Sequence, residues 1–177
     1  MVTLEMSDGK KIVIKVYPHC APIAAKNFLY LVSEGFYDNT IFHRVIPGFA
    51  IQGGCPNGDG WGNPGWKIKG EFKHNLVNNP LMQMRGTIGM AREMHDVNSA
   101  GSQFYINLAR NRDIDHHYCI FGAVEEGMEV VDEIGAVETD SNNRPMIEQR
   151  IVRATLEPEE EMFAYKPEVI ELPKQGQ

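Results

Sequence analysis

The chain has 177 residues, of which 42% are hydrophobic and 23% charged, which is typical of one folded globular domain and excludes a disordered chain. Its net charge of −7, with the Lys and Arg residues scattered, leaves no basic stripe for nucleic acid. No apolar run approaches the roughly 18 residues of a membrane span and no signal-peptide pattern opens the chain, so we expect a cytoplasmic protein without a membrane partner.

The first elements are a β-hairpin and a helix. Residues 2–6 and 12–16 alternate apolar with polar side chains around turn-forming residues at 7–10, which predicts two antiparallel strands. Pro22 then precedes an apolar stripe at helical spacing that ends before Gly35, a residue suited to the left-handed position after a helix. This predicts an amphipathic helix that covers a sheet.

Short apolar runs punctuated by Gly, Pro and Asn follow, and they predict a series of strands. They are residues 41–46, 49–52, 87–91, 104–108, 119–124 and 151–156, with one more helical segment near 127–134. Many short strands with two helices favour an antiparallel barrel or sandwich with helical covers. After residue 157 the chain becomes acidic and contains prolines, so residues 158–177 are predicted to be an extension outside the core.

Two segments resemble the signatures of one family. Residues 42–54 read FHRVIPGFAIQGG and residues 100–106 read AGSQFYI, in the order and at the separation found in cyclophilins. Shorter matches lie at 25–28, 87–91 and 118–122. The resemblance covers residues 1–157, which are taken as the cyclophilin-like domain.

The resemblance implies an all-β fold: a closed eight-stranded antiparallel barrel capped by two α-helices, with a peptide groove on its outer face. It implies a peptidyl-prolyl cis-trans isomerase that rotates X-Pro bonds and assists protein folding, without a metal or cofactor. By matching position, the catalytic residues are Arg44, Phe49 and Gln52. The implied substrate-binding residues are Ala50, Gly60, Met90, Ala91, Arg92, Gln103, Phe104, Tyr105, Ile114 and Tyr118. Within this set, Phe49, Met90, Phe104, Tyr105 and Ile114 are expected in or behind the proline pocket.

The chemistry of amide rotation agrees with such a site. The barrier of about 18–20 kcal/mol arises because the nitrogen lone pair is delocalised into the carbonyl. A guanidinium directed at the proline nitrogen or the adjacent carbonyl would favour the twisted, pyramidal nitrogen, and an apolar pocket would disfavour the charge-separated planar amide. A charged hydrogen bond is worth about 1.5–3 kcal/mol, so Arg44 is expected to raise the rate by about one to two powers of ten.

Four positions depart from the pattern of animal cyclophilins, and one of them, Tyr118, together with shorter barrel loops, looks more like bacterial members. Ala50 stands where methionine is common, Tyr105 for phenylalanine, and Tyr118 for histidine. Asp113 replaces the tryptophan that helps to bind cyclosporin, so we expect weak cyclosporin binding. The expected partners are therefore proline-containing peptides and unfolded or folded proteins, bound by a monomer.

Other interpretations remain open. A non-catalytic proline-peptide binding module would keep the groove for docking, and a general chaperone would hold unfolded chains. A metal site at the histidines near Cys119 is disfavoured, because adjacent histidines on an extended segment point to opposite faces. Ser102 lacks the GxSxG pattern of a serine hydrolase. The odd number of cysteines favours reduced thiols over a disulfide framework.

Overall fold

A computed structural model describes residues 1–158 and 166–173 of the chain. Ten strands and two α-helices are present in this part of the chain. In order they are β1 Val2–Met6, β2 Lys11–Val16, α1 Pro22–Ser33, β3 Arg44–Ile46, β4 Ala50–Gly53, β5 Trp66–Lys67, β6 Thr87–Met90, β7 Phe104–Asn107, β8 Ile120–Glu126, α2 Met128–Gly135, β9 Ile151–Leu156 and β10 Ile170–Glu171. Each of the strands and helices predicted from the sequence is confirmed, with shifts of a few residues at the ends.

The opening hairpin and first helix form as the sequence predicts. Strands β1 and β2 pair antiparallel, with Val2 opposite Ile14. Helix α1 begins with Pro22, and Gly35 just beyond its end has a φ of +67°, which a glycine adopts without strain. The helix lays Phe28 and its apolar neighbours onto the inner face of the sheet.

The amino end of α1 is capped from a distance. Its own capping position is Ala21, which has no side-chain acceptor, so the buried Glu71 carboxylate accepts the backbone N–H groups of Ile23 and Ala24 at 3.0 and 2.9 Å. Burial raises the pKa of Glu71, although these two bonds act in the opposite direction. Glu71 therefore links the loop after β5 to the helix.

The main sheet has eight antiparallel strands in the order β3-β4-β7-β6-β8-β2-β1-β9. The prediction of a closed barrel is wrong in one respect, because hydrogen bonds do not close the sheet and it forms an open half-barrel. Within the described residues, an isolated bridge between Ile41 and Arg150 joins the segments that precede the two edge strands, β3 and β9. On β3 the N–H of Val45 donates instead to the Asn143 carbonyl in the loop before β9.

The core lies between the curved sheet and the helices. Phe104 of β7 is fully buried, and its ring meets those of Phe28, Tyr37 and Phe42 at centroid distances of 5.5, 5.5 and 6.0 Å. Such edge-to-face contacts stabilise a core beyond the burial of area alone. This cluster fixes β7, whose opposite face carries the candidate site.

Part of the C-terminal extension contacts the sheet domain. Strand β10 pairs antiparallel with β5, and Val169 packs against the main core cluster. The remainder of the predicted extension, residues 159–165 and 174–177, lies outside the described residues. The boundary after residue 157 stays a prediction. Among the described residues, no helix has the length and apolar character that a membrane crossing requires.

Candidate active site

The register of the sheet aligns the candidate residues in one row. Arg44 on β3 lies opposite Gln52 on β4, which lies opposite Tyr105 on β7, and Tyr105 lies opposite Gly89 on β6. Directly opposed residues of antiparallel strands project from the same face. The row therefore places a cation, an amide and an aromatic ring side by side on the outer face of the sheet.

A cavity of about 200 Å³ opens above this row. Nine of the predicted site residues line it together with Ile46: Arg44, Phe49, Ala50, Gln52, Ala91, Arg92, Tyr105, Ile114 and Tyr118. Its floor is apolar, because Ala50, Tyr105 and Ile120 form a buried cluster against which Phe49 and Tyr118 pack. An apolar floor with a guanidinium at the rim can hold a small ring while presenting a charge to the bond beside it.

A chain of hydrogen bonds orients the polar side of this cavity. Arg44 Nη1 lies 3.5 Å from Gln52 Oε1, and Gln52 Nε2 donates to Gln103 Oε1 at 3.0 Å. Gln103 Nε2 in turn donates to the carbonyls of Gly60 and Gly62 at 2.8 and 3.1 Å. The glycine-rich loop thereby fixes both glutamines. The contact between Gln52 and the exposed Arg44 is long, so the Arg44 guanidinium can exchange it for a stronger hydrogen-bond partner.

The Tyr105 ring is positioned by two residues that the sequence did not identify. Its hydroxyl donates to Gln83 Oε1 at 2.9 Å, and Gln83 also accepts from Asn107 Nδ2 at 2.9 Å. A Cβ on Gly89 would lie 2.5 Å from the Tyr105 hydroxyl oxygen, so the glycine makes room for the ring. Burial raises the pKa of Tyr105, which keeps the hydroxyl protonated. A glycine inside a strand signals such a close approach, whereas nothing local to Gln83 does.

Arg92 closes another side of the cavity. Its guanidinium carbon lies 4.6 Å from the centre of the Tyr118 ring, and Nε and Nη2 donate to the His117 carbonyl at 3.1 and 2.9 Å. The planar guanidinium suits both contacts. Both arginines line the cavity. The guanidinium of Arg92 is engaged in contacts that hold Tyr118 in place, whereas that of Arg44 makes one long contact, to Gln52.

Two predicted substrate-binding residues lie elsewhere. Met90 and Phe104 oppose one another on β6 and β7, and both belong to the main core cluster on the inner face. Because successive residues of a strand point to opposite faces, Phe104 must point inward where Tyr105 points outward. These two residues do not line the cavity but lie behind it, one of the two placements that the resemblance implies, and their role in substrate binding stays a prediction.

A second cavity, also of about 200 Å³, adjoins the first. It contains the remaining predicted residues, Gly60 and Gln103, and shares Gln52, Ala91 and Arg92 with the first cavity. The two cavities thus form one continuous groove along the outer face. Gly60, which the resemblance expects at the edge of the groove, is one of the residues that line this second cavity.

His43, next to Arg44, is buried below the glycine-rich loop. Its Nδ1 has no hydrogen-bond partner among the described residues. Burial, followed by the nearby charges of Arg144 and Arg44, lowers the pKa of His43. The folded protein therefore keeps this imidazole neutral further into acid than an exposed histidine.

The sequence matches one family of known proteins along most of its length. The sequence model described as cyclophilin type peptidyl-prolyl cis-trans isomerase/CLD matches residues 1–156. The chain is 40% identical over 163 residues to peptidyl-prolyl cis-trans isomerase-like 1 of Gibberella zeae, covering 92% of this chain and 98% of the relative. It is 43% identical over 124 residues to peptidyl-prolyl cis-trans isomerase B of Bacillus subtilis, covering 70% and 82%.

A solved structure has the same fold. The crystal structure of a Cryptosporidium parvum cyclophilin-type peptidyl-prolyl cis-trans isomerase, determined in the presence of the dipeptide Ala-Pro, matches with a TM-score of 0.80. The two chains are 31% identical, and the match covers 88% of this chain and 98% of the other.

Proposed function

The chain belongs to the cyclophilin-type peptidyl-prolyl cis-trans isomerase family, and from this premise we propose that the groove described above rotates X-Pro bonds without covalent chemistry. The observation that carries the proposal is the row formed by Arg44, Gln52 and Tyr105 above one apolar cavity. The proline ring enters the first cavity against Tyr105, and Arg44 faces the bond that precedes it.

The apolar floor favours the twisted state of the amide. A planar amide is charge-separated, so removal from water disfavours it relative to the less polar twisted form. Phe49 and Tyr105 supply flat surfaces for the ring and prevent it from turning with the rest of the peptide. Because binding already holds one side of the bond still, less entropy is lost on the way from the bound peptide to the transition state.

Arg44 stabilises the lone pair that appears on the nitrogen during rotation. The guanidinium stays charged over the whole working pH range and donates hydrogen bonds. Its 3.5 Å contact with Gln52 is weak, so little free energy is lost when the guanidinium exchanges this contact for a hydrogen bond to the developing lone pair. Gln52, fixed through Gln103, is placed to donate to or accept from the peptide backbone.

Exchange spectroscopy by NMR on a short Ala-Pro peptide tests the function, because it reports isomerisation without a coupled protease. Uncatalysed exchange takes tens of seconds, so a catalytic amount of the protein must produce exchange cross-peaks between the cis and trans signals within a second. Chemical-shift changes without faster exchange would instead support a proline-peptide binding module. Suppression of client aggregation with neither effect would support a general chaperone.

The proposed site predicts a nearly flat rate from about pH 6 to about 8.5. Arg44 stays charged, the pKa of Tyr105 is raised above this window, and that of His43 is lowered. Because burial shifts the protonation of His43 further into acid, less positive charge appears beside Arg44 as the pH falls toward 6 than an exposed histidine would bring. Exchange rates measured at fixed ionic strength check this; a bell-shaped profile from folded protein contradicts it.

We propose that cyclosporin binds weakly. Asp113 lies in the 3₁₀ turn Arg112–Ile114 beside the cavity and presents an exposed carboxylate where the resemblance expects an indole. A carboxylate offers neither the apolar area nor the N–H group of tryptophan. In a competition assay with the Ala-Pro peptide, half-inhibition is expected at micromolar or higher cyclosporin, and Asp113→Trp is expected to strengthen it at least tenfold. Nanomolar inhibition of the unchanged chain contradicts the proposal.

Two further features support the proposed setting. One chain supplies the row of Arg44, Gln52 and Tyr105 together with the apolar floor, and we propose that it acts as a monomer. The three cysteines are unpaired thiols, and this supports the proposed cytoplasmic location, where thiols stay reduced.

A further inference from the structure

The C-terminal segment of residues 166–173 reaches the groove, although it lies beyond the residues that match the family. Strand β10 places Ile170 opposite Lys67 and Glu171 opposite Trp66 on β5. The N–H of Leu172 then donates to the Gly65 carbonyl at 3.1 Å. These bonds join β5 and β10 in a two-stranded sheet and lead the chain to the rim of the second cavity.

Side chains also hold this segment. Pro167 is buried, and Val169 packs against the main core cluster. Lys166 Nζ lies 4.4 Å from the centre of the Trp66 ring and 2.8 Å from Glu171 Oε1. The Lys166 ammonium group therefore contacts both the Trp66 ring and the Glu171 carboxylate, and these contacts hold the segment against β5. Leu172 is therefore presented by an anchored strand.

The side chain of Leu172 lines the second cavity. Most of the other lining residues are polar, charged or glycine. Trp61, which is 88% exposed, is the other large apolar side chain there. Leu172 and Trp61 thus provide apolar surface in a part of the groove that is otherwise polar.

The continuity of the two cavities determines what could use this surface. They share Gln52, Ala91 and Arg92, so a peptide whose proline occupies the first cavity extends a neighbouring residue into the second. Burial of an apolar side chain there is favourable in proportion to the apolar area removed from water. A polar side chain of the same size gains nothing from the same contact.

We infer that Leu172, which the anchored segment of residues 166–173 presents to the groove, is a specificity-determining residue that favours peptides with an apolar side chain close to the proline. The inference rests on the proposed function, because it places the proline in the first cavity. It assigns a role in substrate choice to a residue outside the catalytic row.

The test uses the full chain and pairs of proline peptides. The two peptides of a pair differ only by Leu or Asn, placed either directly before or directly after the proline. Leu and Asn have similar shapes, so their rate ratio reports the apolar contact. The wild type is expected to favour Leu at one of these positions. Leu172→Ala is expected to reduce that ratio about three- to tenfold, while Leu172→Met restores it.

Ile170→Ala is the matched control. Ile170 belongs to the same strand and is 49% exposed, but it does not line the cavity, so its loss leaves the ratio unchanged. An unchanged ratio in Leu172→Ala, with exchange retained, overturns the inference. An equal change in Ile170→Ala also overturns it, since the cause would then be a loosened segment.

Failure of the proposed function would be recognised separately. If the wild type does not accelerate exchange of any peptide, isomerisation at this groove is refuted. The same Leu and Asn peptides are then compared by their dissociation constants from chemical-shift titrations, and a Leu preference that depends on Leu172 still supports the inference. Equal affinities in the wild type and Leu172→Ala overturn it.

Discussion

Arg44→Ala is expected to lower the catalysed exchange rate of an Ala-Pro peptide by about ten- to a hundredfold. The change removes a charged hydrogen bond worth about 1.5–3 kcal/mol from the transition state, at about 1.4 kcal/mol for each decade of rate. Arg44 is exposed and makes one long contact, so the free energy of unfolding should change by less than about 0.5 kcal/mol. Exchange spectroscopy and urea unfolding measure the two quantities.

Two controls separate catalysis from binding. The floor of the cavity is untouched by Arg44→Ala, so the peptide dissociation constant should stay within about threefold while the maximal rate falls. Arg44→Lys keeps the charge but loses the fork of donors, and we expect an intermediate rate. If Arg44→Ala weakens binding and rate in equal measure, Arg44 acts in holding the peptide and the proposed role is wrong.

Regular patterns in the sequence predicted the fold well, because alternation and helical spacing report which face is buried. The opening hairpin, α1 and β9 follow from local residues alone. Closure of the barrel does not, since the edge of β3 is occupied by the Asn143 carbonyl from a distant loop. The cap of α1 by Glu71, 47 residues from Ala24, is equally invisible to any local signal.

The candidate site was predicted from the resemblance, and strand geometry decides which of its residues line the cavity and which lie behind it. Strand alternation alone sends Phe104 inward once Tyr105 faces outward, and the register sends Met90 with it. Gln83 and Leu172 could not be found in this way. Gln83 meets Tyr105 through a side-chain hydrogen bond and Leu172 reaches the second cavity through the pairing of β10 with β5, and only the tertiary structure brings either about. Gly89 carried a usable signal, a glycine within a strand, but its partner depends on the register.

Gly89→Ala is expected to damage both stability and catalysis. The new Cβ would lie 2.5 Å from the Tyr105 hydroxyl oxygen, 2.6 Å from its Cζ and 2.9 Å from Ile120 Cδ1, so the ring must move away from β6. Overpacking of this kind costs about 1–3 kcal/mol. The displaced ring loses Gln83 and no longer forms the floor of the cavity, and we expect the exchange rate to fall at least tenfold.

Tyr105→Phe is the comparison that separates the position of the ring from its hydroxyl group. Phenylalanine keeps the ring between Gly89 and Tyr118 but gives up the 2.9 Å bond to Gln83, whose Oε1 still accepts from Asn107. We expect a loss of about 1 kcal/mol in the free energy of unfolding and a rate within about threefold of the wild type. Thermal unfolding and peptide exchange, measured on both variants, check this. If Gly89→Ala exchanges peptide like the wild type, the position of the ring does not control the proline site. If Tyr105→Phe is the slower of the two variants, the hydroxyl group matters more than the position of the ring.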